Sequence, residues 1–357
     1  MKEKITIMGA GHQGLAMAAH LSANGVECLL WNRTEEHIKD IMETRQIRCR
    51  GILNKVVDIR EASSDIEKVL SKTIMVTTPS FAHKDLARLL AGYVDESYTI
   101  ILNPGRTFGA LDFIRSLKNQ GCRSLPCLAE TQTIIYTCRR DVHNSVWLYA
   151  IKKGVMISAV DPKDTMRVLK AIPECIRQNY IPASTYLETT LSNVGMILHC
   201  APILMNVGWI ENEKVKFEYY YDGISPSIAD VLERLDNERL AVAEKLGSPV
   251  ESVTEWLKRI YNTTGANLYE HLQSNKFYRG IDAPKNIHHR YIEEDIPNGL
   301  VPLEDIGKNL GVETPIATCI IDFANILMRC DYRRVGRYFD LLEGDWADES
   351  PGKNVLG

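Results

Sequence analysis

No apolar run in the 357 residues approaches the roughly 18 that a membrane-crossing helix needs. The N-terminus shows no charged leader followed by a long apolar stretch. Met1 to Ala10 enters a strand pattern at once, so a protein that stays in the cytoplasm is expected. Basic excess is missing too: 42 Lys and Arg against 46 Asp and Glu leave a net charge of −4. That balance offers no general field for nucleic acid or an anionic membrane. Cysteine occurs nine times but never as Cys-x-x-Cys. Cys122 and Cys127 come nearest and no second pair answers them, so the thiols read as reduced core residues and no metal site is expected. Internal repeats and low-complexity segments are also lacking. What remains is 45% hydrophobic and 25% charged, an ordinary globular balance with length for two domains.

The first half alternates strand and helix patterns. Lys4–Met8, Cys28–Trp31, Thr73–Thr77, Tyr98–Leu102 and Leu125–Ala129 read as strands, with helical stretches between them, including 14–22 and His83–Ala91. This alternation argues for a doubly wound parallel sheet. Val146–Ile151 and Val155–Val160 read as its extension. Near Thr185 strand signals fade. Helical patterns follow at Leu187–Val207, Ile228–Leu246, Val253–Tyr261, Leu303–Leu310 and Ile316–Arg329. The expected class is therefore α/β, a Rossmann domain over 1–185 followed by an all-α domain over 186–357. The tail from Glu349 is expected to be loose.

Gly9-Ala10-Gly11-His12-Gln13-Gly14 has Gly-x-Gly-x-x-Gly spacing, and it follows a strand and opens a helix. Gly9 suits the tight turn, Gly11 the approach of a pyrophosphate, and Gly14 close packing of helix on strand. The anion then meets free N–H groups at the positive helix end. At the end of the second strand stands Asn32-Arg33 rather than a carboxylate. Arg33 offers a planar cation to a 2′-phosphate, so NADP(H) is expected in preference to NAD(H). Two further loops follow strands, one with Thr78 and Pro79, the other with Asn103 and Pro104. Together with the glycine loop they outline one cofactor crevice. Arg106 ends the second loop and either grips a substrate carboxylate or faces solvent.

Asn193–His199 begins an apolar helical stretch, and His199 and Asn206, seven residues apart, share a face. A second cluster runs from His288 to Pro297, reads as a charged loop, and contains Arg290 and Asp295. With these segments, 217–227 and 235–243, the chain resembles the opine dehydrogenases of the octopine/nopaline type, whose C-terminal domain is 6-phosphogluconate dehydrogenase-like. The resemblance implies reductive condensation of an amino acid with a 2-oxo acid such as pyruvate, with hydride from the nicotinamide. It places the catalytic His at His199 and its Arg and Asp at Arg290 and Asp295, and it puts Cys138 near the substrate. Asn206 joins the candidate substrate contacts. A His suits proton transfer near neutral pH, a carboxylate can orient it, and an Arg can hold a carboxylate in a bidentate grip. One departure is Cys200, where Pro often follows the catalytic His in that family.

Two other readings stay open. Hydroxyacid dehydrogenases and ketopantoate-type reductases share this architecture but commonly use a Lys on the junction helix, and no Lys occurs between Lys170 and Lys214. An NADP-binding sensor without turnover is the other. The apolar helices of the second domain could also form a homodimer interface.

Overall fold

Aliphatic and β-branched runs commit the first half of the chain to strands buried on both faces. The computed structural model describes residues 3–338 and Asp340, so the tail from Glu349 lies outside the described residues. Twelve strands are formed among them: β1 Lys4–Met8, β2 Glu27–Trp31, β3 Gln46–Gly51, β4 Lys55–Asp58, β5 Glu61–Ser63, β6 Thr73–Val76, β7 Thr99–Leu102, β8 Cys127–Thr131, β9 Tyr136–Arg140, β10 Ser145–Ile151, β11 Val155–Ala159 and β12 Tyr180–Pro182. Contacts divide the chain into two units. One runs to Gly105 and includes Gly109–Thr189; the other joins Arg106–Phe108 to the chain from Thr190 onward.

In the first unit eight strands form a sheet in the order β12-β11-β8-β7-β6-β1-β2-β5. Neighbours are parallel except β8 with β11. This is the Rossmann-type, parallel-dominated architecture expected from the strand–helix alternation. The order reverses beside β1, with β2 on one side and β6 on the other, and open α/β sheets bind ligands at such a point. A second sheet, β4-β3-β10-β9, was not expected. Val146–Ile151 therefore extends this small sheet rather than the large one, while β11 does join the large one. The reason is the helix His12–Ala23, which packs against β1 and β2 and also against β3, β4, β9 and β10. Its small and aliphatic residues Leu15, Ala16, Met17, Ala18, Ala19 and Leu21 are buried. A helix apolar on most of its surface needs cover on more than one side. Ile47, Cys49, Val57, Val146 and Leu148 supply it from the second sheet.

The second unit is helical. The expected single helix Leu187–Val207 is broken into Tyr186–Leu191 and Gly195–Met205. At the break the Asn193 amide bonds to side chains, accepting from Arg106 and donating to the Thr107 hydroxyl. Such side-chain bonds offer an alternative to the helical ladder. Pro202 lies inside the second piece and has no N–H to give Leu198. Tyr219 Oη substitutes, reaching the Leu198 carbonyl at 3.4 Å and the His199 carbonyl at 2.6 Å.

The long helix Pro226–Lys245 begins at a Ser225 cap and carries the charged residues of the 235–243 run inward. Buried Arg239 pairs with Asp236 at 2.7 Å and donates to the carbonyls of Leu191 and Glu251. Glu238 accepts from the N–H groups of Ile316 and Ala317, capping the helix Pro315–Met328. This run cross-links helices, and all its buried charges have partners. The expected loop at 288–297 is also helical. His289 caps Arg290–Glu293, and a π turn spans Ile296–Leu300. Pro297 stands in the first turn, where its missing N–H costs nothing, and Gly299 packs against Met196. The turn-like residues serve a helix start and a close approach.

Candidate active site

The glycine loop sits at the end of β1. Gly9 has φ +109°, a conformation natural only to glycine. A Cβ on Gly14 would collide with the Gly9 carbonyl, and Thr77 Oγ1 donates to the Met8 and Gly9 carbonyls at 3.1 Å. At Gly11 a Cβ would meet nothing within 4 Å, so the loop is open on that side. The helix that follows has no side-chain N-cap. The lack of a cap is compatible with an anion at this helix end. Thr78 Oγ1 is buried with no hydrogen-bond partner and its Cγ2 packs on Gly9. These features fit a dinucleotide pyrophosphate.

A cavity of about 470 Å³ lies beyond the end of β2, lined among others by Asn32, Arg33, Thr78, Pro79 and Phe81. Asn32 Oδ1 accepts from the Ala10 N–H at 3.1 Å and its Nδ2 donates to the Thr34 carbonyl. Asn32 therefore braces the turn without placing a negative charge in it. Arg33 is 74% exposed, with Asp85 3.9 Å away as its nearest carboxylate. An exposed pair at that distance is weak and leaves the guanidinium able to turn to a phosphate.

Other candidates in this unit act as braces. Arg140 N–H donates to His12 Nδ1 at 2.7 Å. Cys138 Sγ donates to the His12 carbonyl at 3.2 Å and to Gln13 Oε1 at 3.3 Å. Burial pushes the Cys138 thiol up to about 12, so it remains a thiol and a donor. The resemblance had put Cys138 near the substrate; within its own unit it secures the start of the phosphate-loop helix. Asn103 is buried and donates to the Ile101 carbonyl, and the Asn103–Pro104 peptide is cis. Glu130 is buried, accepting from the Ala110 N–H and the Tyr186 hydroxyl.

The second unit gathers the residues of proton transfer. His199 Nδ1 lies 2.7 Å from Asp295 Oδ2. Asp295 is fully buried and His199 is 13% exposed. Its Nε2 has no protein partner among the described residues. The Tyr291 ring stacks on the imidazole at 3.8 Å and 7°. Burial holds His199 below its ordinary value; Asp295 opposes this, and the Arg106 and Arg290 cations reinforce it. Burial thus favours the neutral ring, the form that can accept a proton.

Arg290 stands one turn before Glu294 and pairs with it at 3.1 Å. It is 40% exposed, and its Nη1 has no protein partner among the described residues. Arg106, left between a substrate role and solvent by the sequence, is neither free nor exposed. Its guanidinium lies against Glu294 at 3.2 Å, Asp295 at 3.3 Å and Asn193 at 3.2 Å. Burial disfavours this cation, but the two carboxylates more than offset that and hold it charged. Asn206 also departs from expectation: its Nδ2 donates to the Pro202 and Gly223 carbonyls, tying the 217–227 segment to the His199 helix. His288 is exposed near Glu293, and no group of three or more His, Cys, Asp or Glu among the described residues is placed to hold a metal.

Comparison with known proteins bears on this arrangement directly. Residues 182–328 match the family model of the NAD/NADP octopine/nopaline dehydrogenase alpha-helical domain, and 4–104 match that of the NAD-dependent glycerol-3-phosphate dehydrogenase N-terminus. An opine dehydrogenase of Arthrobacter sp. (strain 1C) is 32% identical over 94% of this chain and 94% of its own length. The chain belongs to the opine dehydrogenase family. Its members are NAD(P)-dependent oxidoreductases, and the two halves of this chain supply the matching nucleotide and helical parts. Two solved structures share the fold. Octopine dehydrogenase with NADH and agmatine has a TM-score of 0.72 at 20% identity, covering 91% of this chain and 89% of that one. NADP+-bound yersinopine dehydrogenase has 0.73 at 14%, covering 99% and 98%.

Sequence reasoning missed two residues and one contact here. Glu294 could have been found from its i,i+4 spacing to Arg290, which pairs them on a helix. Tyr291 and the Arg106–Asp295 contact had no local signal.

Proposed function

We propose that this opine dehydrogenase prefers NADPH and condenses an amino acid with a pyruvate-like 2-oxo acid, reducing the imine to a secondary-amine dicarboxylate. The observation that carries the catalytic reading is the His199–Asp295 pair, its Nε2 open and Arg290 half-exposed nearby. Octopine dehydrogenase has been seen with NADH and L-arginine, and with NADH and pyruvate. That supports the same two substrate classes here. Residues 1–185 are the proposed nucleotide domain and 186–357 the substrate domain.

The chemistry asked of the protein is proton traffic and orientation. Asp295 accepts the Nδ1 proton of His199 and so points the Nε2 lone pair outward. Neutral His199 takes the proton that the amine loses on attacking the oxo carbon. The imidazolium gives that proton to the oxygen, making a hydroxyl. His199, reprotonated from solvent, gives a second proton as the hydroxyl leaves as water, so that an iminium carbon stands ready for reduction. Asp295 stabilises the cation meanwhile. The free edge of Arg290 holds a substrate carboxylate, which fixes the reacting carbon. When bound, the dinucleotide supplies the hydride. The glycine loop, Thr78 and Arg33 are proposed to bind it, Arg33 through a 2′-phosphate.

No described helix is long and apolar enough to cross a membrane, and all nine cysteines are free thiols. Both support the cytoplasmic placement we propose. A homodimer is the proposed assembly, and light scattering tests it. The catalytic reading is tested by His199→Ala, expected to cut turnover by about two to four decades with cofactor binding kept. Near-normal turnover would remove His199 from the role.

A further inference from the structure

Two carboxylates lie buried side by side next to His199: Glu294 at 2% exposure and Asp295 at 0%. Neighbouring buried carboxylates do not both stay ionised without a cation between them. Arg290 touches only Glu294 and is half in solvent. Arg106 touches both and is 7% exposed.

The backbone is shaped to hold Arg106 there. Arg106 and Phe108 have φ +63° and +60°, a region costly to side-chain-bearing residues. Hydrogen bonds maintain it: Thr107 N–H to the Asn298 carbonyl, Phe108 N–H to Thr190 Oγ1, and Thr190 Oγ1 to the Arg106 carbonyl. Asn193 accepts from Nη1. Gly195 leaves room for that nitrogen, since a Cβ there would collide with Nη1. A solvent-seeking or substrate-gripping arginine needs none of this.

We propose that Arg106 is a positioning residue: it fixes the Asp295 carboxylate against His199, offsets one of the two buried negative charges, and so sets the pH range over which His199 exchanges protons. This rests on the acid–base reading of His199 above. The ionic logic also accommodates substrate. When a substrate carboxylate draws on Arg290, Glu294 keeps Arg106 and is not left unpaired.

The groups facing His199 are Asp295, Arg106, Arg290 and His289, with the neutral Tyr291, Tyr219 and Cys200 around them and Glu294 behind Arg106. Deleting the Arg106 charge leaves the negative pair dominant and favours imidazolium. Deleting the Glu294 charge does the opposite.

The test is a pH titration of the His199 ring by ¹⁵N NMR in the full chain, beside the pH profile of kcat/KM. Arg106→Gln is expected to move the His199 midpoint up by roughly one to two pH units, with the rate profile following. Glu294→Gln should move both down. Arg106→Lys keeps the charge and should restore most of the original midpoint. A folded Arg106→Gln with an unmoved midpoint overturns the proposal. So does an unmoved midpoint with a KM for one substrate raised more than tenfold, which would make Arg106 a substrate grip. If Arg106→Gln does not fold, Glu294→Gln decides, and no downward shift overturns it. A midpoint that moves while the rate profile stays fixed would sustain Arg106 and sink the catalytic role of His199.

Discussion

Replacing Asp295 by Asn keeps the shape of the side chain and removes only its charge and one acceptor. Asp295 Oδ1 faces Arg106 Nη1 at 3.3 Å and Oδ2 faces His199 Nδ1 at 2.7 Å. A guanidinium can only donate, so the Asn oxygen turns to Arg106 and the NH₂ turns to His199. The amide then donates to Nδ1. A neutral imidazole must carry its proton on Nε2, the atom that has to accept one from the amine. Loss of the working tautomer and of the carboxylate that stabilises the cation should cut kcat by about 10³–10⁴. That corresponds to about 4–5.5 kcal/mol of barrier. KM should change much less, because Arg290 and the cofactor loop are untouched. Loss of the buried ion pair between Arg106 and Asp295 should cost up to about 3–5 kcal/mol of stability. Steady-state NADPH oxidation and calorimetric melting measure the two effects. A folded Asp295→Asn enzyme with kcat within tenfold of the parent would refute the orienting role.

Three further outcomes follow from other parts of the structure. Arg33→Ala should raise the NADPH KM about tenfold or more and leave the NADH KM unchanged, since 1.4 kcal/mol is tenfold and a charged hydrogen bond exceeds that; equal effects on both would remove the 2′-phosphate contact. His289 is held down to about 4, chiefly by burial and then by Arg290 and His199. Its folded form binds fewer protons than the unfolded chain, so the stability it supports is present above about 6.5 and is lost as the pH falls towards about 4. His289→Asn retains a helix cap that does not titrate, and urea melts across that window should show a flatter acid slope; an unchanged slope contradicts this. Tyr219→Phe deprives the Leu198 and His199 carbonyls of their donor. It should cost about 1–3 kcal/mol in thermal unfolding, and a neutral result would mean that the Pro202 gap is filled otherwise.

The order of strands and helices was readable because buried parallel strands and a glycine loop are local signals: Ile5, Ile7 and Gly9 to Gly14 need no knowledge of the rest. The second sheet was less legible. In Gln46–Gly51 only Ile47 and Cys49 face inward while arginines alternate outward, and the strand makes sense only once the helix His12–Ala23 needs cover. His199, Arg290 and Asp295 were singled out by resemblance, and the pairing of His199 with Asp295 emerges only when residues 96 apart meet. Arg106 and Glu294 were harder still, because an ion pair across 188 residues leaves no pattern in the chain. Helix continuity through Ser192–Val194 was misread because apolar periodicity does not record that Asn193 spends its amide on Arg106 and Thr107.

The most direct measurement is NADPH oxidation at 340 nm with pyruvate and a panel of amino acids, each alone and then together, with NADH in parallel. Absorbance should fall only when both substrates are present, and the amino acid giving the fastest loss identifies the product. Oxidation by the oxo acid alone would contradict reductive condensation and make the enzyme a hydroxyacid dehydrogenase on the same fold.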